Sequence, residues 1–268
     1  MSPPTPLVEV TDTAEFGGKA VSLGVAARAG LPVPAGFALS VDAVDAVVHS
    51  DPDVLTALRA ACASGGPRAV RSSAVGEDSG TASFAGAHHT VLGVCRFDAV
   101  VAAVRRVHAS GTSVGASAYR SRIGLGPARM GVVIQELVPA EVAGVLFTRN
   151  PVTGAVERVI EASWGLGEAV VAGLVVPDRY RLDARGRVIE RAVGEKDIAL
   201  RTGPGGTEEV AVAGPAVHAP CLNDAQLAAL HALAEACDTI YDTCEHDIEF
   251  AFSDGAVFLL QRRPITGA

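Results

Sequence analysis

Toward its C-terminal end the chain reads Asp247-Ile248-Glu249-Phe250-Ala251-Phe252, then Ser253-Asp254-Gly255, then Ala256-Val257-Phe258-Leu259-Leu260-Gln261. Two strand-forming runs joined by an Asp-Gly turn predict an antiparallel hairpin. Side chains alternate across a strand, so Asp247 and Glu249 share one face, and Gln261 and Arg263 are matched in the same way on the returning strand. Ile248, Phe250 and Leu260 are expected to fill the opposite face. The fold must therefore hold a sheet with one apolar and one charged surface at this point. Two acids, an amide and a guanidinium on adjacent strands suit a Mg²⁺–phosphate platform, because Mg²⁺ takes hard oxygen ligands shared with a nucleotide. A surface ladder of cross-strand charge pairs is the alternative.

The rest of the chain alternates helix and strand signals. Residues 18–29 carry helix spacing, Gly30 stops it, and Leu31-Pro32-Val33-Pro34 forces an extended exit. Residues 36–40 read as a short strand, 42–63 as helices broken near Ser50-Asp51-Pro52, and 98–109 as a helix. Strands are expected over 68–72, 90–94, 131–138, 143–148 and 156–161. Residues 178–201 look like a meander turning at Asp183-Ala184-Arg185-Gly186. The stretch 202–220 reads as an exposed loop, and Asn223 caps a helix running to about Cys244. No 20–50-residue repeat is present, which excludes a solenoid. Mixed elements in two unequal halves predict a two-lobed α+β protein with a cleft between the lobes.

Composition narrows the function. The formal charge is 22 − 30 = −8, which disfavours a nucleic-acid surface but leaves room for a few local cations around a nucleotide. No apolar run approaches the roughly 20 residues of a membrane span, and residues 1–6 lack a secretory apolar region. Cys62, Cys95, Cys221, Cys237 and Cys244 form no CxxC pair, so reduced thiols in a cytoplasmic protein are expected. The abundance of Ala, Val, Gly and Arg looks like the coding bias of a high-GC bacterium.

Four further segments are candidates for chemistry. Gly17-Gly18-Lys19 opens a helix, where free amides and the dipole favour an anion; an ordinary solvated lysine is the plain alternative. Arg71 ends a buried-looking strand, and its forked guanidinium suits two phosphate oxygens; pairing with Glu77 or Asp78 would also explain it. Ala82-Ser83-Phe84-Ala85-Gly86, with Thr90 beyond, lets backbone amides approach a ligand closely. Gln135-Glu136-Leu137-Val138 ends a strand and can offer backbone groups to a purine edge, or can be merely a strand end.

In order along the chain, GGKAVSLGVAARAGLPVPAGFALS, AVRSSAVGEDSGTASFAGAHHTVLGV, VVIQELVPAEVAGVLFTRNPVTG, VIEASWGLGEAVVAGLVVPDRY and DIEFAFSDGAVFLLQRRPIT resemble the N-terminal ATP-binding domain of the phosphoenolpyruvate synthase and pyruvate phosphate dikinase family. Rifampicin phosphotransferases share that domain. The resemblance covers about residues 16–266 and implies a single ATP-grasp domain over 1–268, with lobe 1 at about 1–134 and lobe 2 at about 135–268. It implies Mg·ATP as the bound species. Lys19 and Arg71 would contact the phosphates, with Gly86, Ala87 and Thr90 in the phosphate loop. Gln135, Leu137 and Val138 would line the adenine pocket with Glu136 alongside. Glu249 and Gln261, and less strongly Asp247, would hold the metal, while Arg263 would stabilise the transferring group. Lys19, Arg71 and Arg263 are thus the expected catalytic residues. Trp164, Glu168 and Lys196 fall in family motifs with supporting roles.

The sequence departs from the family pattern in two respects. The stretch between Lys19 and Arg71 is short, and none of His49, His88, His89, His108, His218, His231 and His246 has the Gly-rich setting of the family's phosphohistidine swivelling domain. His88 and His89 are expected to make local contacts beside the phosphate loop. The resemblance implies an ATP-dependent phosphotransferase component that phosphorylates a histidine on a separate protein or further domain. The alternatives are an ATP-grasp enzyme acting directly on a small-molecule acceptor, or a non-catalytic ATP-binding regulatory subunit. No nucleic-acid or membrane partner is expected.

Overall fold

The computed structural model describes residues 3–76, 90–111, 129–203 and 205–265. The chain divides into two compact units, one of Met1–Arg28 with Ala35–Leu137 and the other of Ala29–Pro34 with Val138–Ala268. It is α+β, as the mixed sequence pattern predicts.

The first unit is built on a five-stranded antiparallel sheet. Its order is β1 (Thr5–Pro6), β2 (Gly36–Leu39), β5 (Met130–Glu136), β3 (Arg68–Ala74) and β4 (Thr90–Val94). Helices α1 (Thr13–Phe16), α2 (Gly18–Arg28), α3 (Val41–Val48), α4 (Pro52–Ala61) and α5 (Phe97–Gly111) complete it. The ends are set locally. The Asp12 side chain accepts from the Ala14 amide to start α1, and Ser40 does the same from Ala43 to start α3. Between α3 and α4 the chain reverses at Ser50, whose φ is 62°, and restarts with Asp51 as cap and Pro52 in the first turn. Even-numbered residues Val70, Ala74, Met130, Val132 and Ile134 face a core shared with Val44, Val47, Val54, Leu58, Val100, Val104 and Val107. Burying each such large aliphatic side chain contributes about 1.5–3 kcal/mol.

The second unit holds a six-stranded antiparallel sheet. Its order is β13 (Ala256–Pro264), β12 (His246–Ser253), β6 (Val142–Phe147), β7 (Arg158–Trp164), β8 (Asp178–Leu182) and β9 (Val188–Ala192). A short helix, α6 (Glu168–Val171), and a long one, α7 (Asp224–Tyr241), pack against it, α7 over β12 and β13. A full capping box between Asn223 and Gln226 starts α7, and Asp242 in the left-handed region ends it, three residues short of the reach expected from sequence. The turn at 183–186 forms as expected, with the Asp183 carboxylate accepting from the Arg185 and Arg187 amides.

Two sequence expectations are corrected here. Residues 206–211 are not loop: β11 (Gly206–Ala211) pairs with β10 (Ile198–Gly203) as a separate ribbon, with Arg201 opposite Glu208. Its largely exposed, Glu-rich surface leaves no apolar stripe to read. In the closing hairpin a bulge sets Glu249 opposite Gln261 but Phe250 opposite Leu259. Leu259, not Leu260, is therefore the fully buried partner on the apolar face, because one extra residue reverses the alternation.

Candidate active site

In the first unit the polar chemistry lies on the sheet face opposite the apolar core. Arg71 stands across from Thr90 on β4 and from Val133 on β5, and Gln135 stands across from Ala69. Odd-numbered residues of β3 and β5 point to one face, so Arg71, Ser73, Gln135 and Thr90 share it. Arg71 and Gln135 are buried there. Helices α1 and α2 meet this face at their junction. Ser73 Oγ accepts from the Ala20 amide at 3.0 Å, in the first turn of α2 and one residue from the buried Lys19. Gly17 makes that approach possible: its φ is +80°, and a Cβ there would lie 2.1 Å from the Ser73 carbonyl oxygen. Ser73, two residues along the same strand face from Arg71, thereby anchors the first turn of α2, in which Lys19 lies. Sequence reasoning did not single out Ser73; the only local signal was its place in Arg71-Ser72-Ser73.

Gln135 is 3 % exposed, and its side-chain Nε2 has no hydrogen-bond partner among the described residues. A buried amide left unmade costs about 1–3 kcal/mol unless something satisfies it. Glu136 is exposed, with its backbone amide bonded to the Ala35 carbonyl, and Leu137 bonds the Pro67 carbonyl. Val138 is buried and begins the long segment of the second unit. Gly86, Ala87, His88 and His89 lie outside the described residues.

In the second unit the hairpin brings four predicted residues together. Asp247 pairs in register with Arg263, and Glu249 with Gln261. Arg263 donates to Asp247 Oδ2 from Nε at 2.8 Å, and Nη2 lies 2.7 Å from the same oxygen. Burial pushes the Asp247 carboxyl up; the Arg263 charge and hydrogen bond oppose this, and the charge of Glu249 adds to it. Asp247 thus orients Arg263, and Glu249 and Gln261 stand opposite one another on the same strand face. Among the described residues no three His, Cys, Asp or Glu side chains gather to hold an ion by themselves. Two protein oxygens nonetheless suit Mg²⁺, which keeps waters and takes phosphate oxygens for its remaining positions.

The three supporting residues are spread through the second unit. Trp164 donates Nε1 to the Ala216 carbonyl at 3.0 Å, and Glu168 is exposed at the start of α6. Lys196 is fully buried, with Nζ 2.5 Å from Asp178 Oδ1. That carboxylate also accepts from the Gly194 and Cys221 amides and the Tyr180 hydroxyl. Burial would raise the Asp178 pKa, but these donors, Lys196 first, hold it below the usual carboxylate range.

Residues 52–268 match the family model described as pyruvate phosphate dikinase, AMP/ATP-binding domain. The chain belongs to this family. A probable phosphoenolpyruvate synthase of Methanothermobacter thermautotrophicus is 41% identical over 74% of this chain and 29% of its own. The prodigiosin synthesizing transferase PigC of Serratia marcescens is 37% identical over 98% of this chain and 33% of its own. A rifampicin phosphotransferase of Streptomyces sviceus is 33% identical over 97% of this chain and 35% of its own. The chain thus spans about a third of the length of these curated relatives. Among the described residues, no helix is long and apolar enough to cross a membrane.

Proposed function

We propose that this AMP/ATP-binding domain binds Mg·ATP through an ATP-grasp arrangement and passes a phosphoryl group to a histidine on a separate protein or further domain. The observation that carries the reading is the placement of Lys19 and Arg71, two buried cations, beside the first turn of α2 on the polar sheet face. Free amides and the helix dipole favour an anion there, and the fork of Arg71 adds a bidentate donor. The unsatisfied amide of Gln135 on the same face supports adenine contact by the 135–138 segment. Glu249 and Gln261 would hold Mg²⁺, which would supply charge neutralisation at the phosphates. Arg263, held by Asp247, presents its guanidinium to the transferring group. Phosphoryl transfer asks little covalent chemistry of a protein, so positioning and cationic stabilisation carry most of it. A cytoplasmic location belongs to the same reading, supported by five unpaired cysteines.

The test is Arg263→Ala with radiolabelled ATP, Mg²⁺ and a phosphohistidine-domain protein of this family as acceptor. Losing one preorganised charge costs roughly 2.7–4 kcal/mol, so transfer should fall about 10²–10³-fold while the variant still unfolds cooperatively. AMP and inorganic phosphate formed together with labelled histidine support the reading. Transfer close to wild type removes Arg263 from the site. Turnover with a small acceptor alone, or tight ATP binding without any turnover, overturns the histidine-directed function.

A further inference from the structure

The face of the closing hairpin turned to α7 carries an unexpected pair. Where a sheet face under a helix is ordinarily apolar, Arg262 is 8% exposed and His246 is fully buried. Burying a guanidinium is costly unless its donors are satisfied. Arg262 Nε donates to His246 Nδ1 at 2.8 Å, and its guanidinium carbon lies 4.1 Å from the centre of the Tyr241 ring on α7. The Tyr241 ring also meets the His246 ring edge-on at 5.7 Å. Further polar groups surround His246. Its Nε2 lies 3.4 Å from Asp238 Oδ1 on α7 with no hydrogen bond between them, and the other oxygen of Asp238 is 2.6 Å from Arg158 on β7. Arg158 donates to the Thr148 carbonyl, and Thr148 Oγ1 accepts from the His246 amide.

We propose that Arg262 and His246 are positioning residues that pin the register of β13 on β12. Beyond the bulge at Glu249/Phe250 the two strands share only four paired positions, from Glu249↔Gln261 to His246↔Pro264. Bulges weaken the ladder locally, and a one-residue slip moves every side chain to the other face. Such a slip would turn Gln261 and Arg263 under α7 and bring Arg262 out beside Glu249. The Arg262–His246 hydrogen bond and the cation over Tyr241 exist only in the native register. Each therefore raises the free energy of the slipped pairing, which is the best-attested use of buried polar groups. The functional consequence rests on the proposed phosphate platform; the geometry does not.

Hydrogen–deuterium exchange on the full chain tests this with Arg262→Met, His246→Leu and His246→Asn. Arg262→Met keeps an unbranched stem beside Tyr241 and deletes the donor, whereas His246→Asn keeps an acceptor oxygen near the Nδ1 position. Amides of 246–249 and 261–263 should exchange about tenfold faster in Arg262→Met and His246→Leu, with residues 158–182 unchanged, and His246→Asn should stay near wild type. Mg·ATP titrated into the same proteins should bind about tenfold more weakly in the first two variants only. Wild-type exchange in Arg262→Met, or faster exchange spread evenly over the second unit, overturns the proposal. Should Arg262→Met not fold, equal exchange in His246→Leu and His246→Asn overturns it. If the local exchange pattern holds while the wild type fails to bind Mg·ATP, the register pin stands and the proposed nucleotide function falls.

Discussion

Replacing Lys196 by methionine isolates a fully buried ion pair of the second unit. Methionine matches the lysine stem in length and keeps its packing, so the change is essentially loss of the ammonium. Asp178, fully buried, would keep three neutral donors, the Gly194 and Cys221 amides and the Tyr180 hydroxyl. It would lose the cation 2.5 Å away. Breaking a buried ion pair from one side costs about 3–5 kcal/mol, because a charge is left without its partner. Asp178→Asn should cost a comparable amount by stranding the ammonium. The double variant strands neither charge, so its cost should fall short of the sum by about 1–3 kcal/mol. The sign of the pH dependence follows. In wild type the depressed Asp178 pKa contributes stability that is lost only as pH falls below the ordinary carboxylate range. Without Lys196 burial dominates and raises that pKa above its unfolded value, so Lys196→Met should lose stability as pH rises and stand closest to wild type in mild acid. The single tryptophan, Trp164, lies in this unit, and its fluorescence during urea unfolding gives the free energies directly. A loss below about 1 kcal/mol in Lys196→Met, or strict additivity in the double variant, would refute the reasoning.

Two other changes probe the packing around the proposed site. Gly17→Ala places a Cβ 2.1 Å from the Ser73 carbonyl oxygen at a φ of +80°; it should cost more than about 2 kcal/mol in urea unfolding and weaken Mg·ATP binding, and a variant within 0.5 kcal/mol of wild type would show that α2 does not depend on this approach. Burial, with the Arg262 charge next, pushes His246 down to about 4 while Asp238 opposes it. The unfolded chain, with an ordinary histidine near 6.5, therefore binds the proton more readily, and stability should fall by about 2 kcal/mol between pH 7 and pH 5 in nucleotide-free protein. His246→Asn should lack that component; equal slopes in the two proteins would sink the assignment.

What could be read from the sequence depended on whether the physics was local. The cap at Asn223, the helix break at Ser50-Asp51-Pro52, the turn at Asp183 and the closing Asp254-Gly255 turn act within a few residues, and their signatures place the elements closely. The β11 ribbon was not legible, because its side chains are mostly exposed and carry no apolar period. Nor was the placement of 29–34 with the second unit. Its tie to that unit includes a hydrogen bond from the Leu259 amide to the Pro32 carbonyl, a contact between distant residues that local propensity does not encode.

The proposed site residues divide along the same line. Lys19, Arg71, Gln135, Glu249 and Arg263 stand out by type and motif, but what fixes each of them is a cross-strand or helix–strand relation. Arg71 reaches the face shared with Gln135 because β5 pairs with β3 so that Val133 opposes Arg71 and Gln135 opposes Ala69. Lys19 is held near that face by a serine 54 residues later, through its neighbour Ala20. The hairpin gives the sharpest case, since simple alternation matches Gln261 and Arg263 to the acidic face yet assigns the wrong leucine to the core. Both results come from one bulge, which reverses the pattern between Leu259 and Gln261. A motif can therefore name the polar residues of such a strand while leaving open what keeps them on their face. That task falls to the side chains on the far side, where Arg262 and His246 sit.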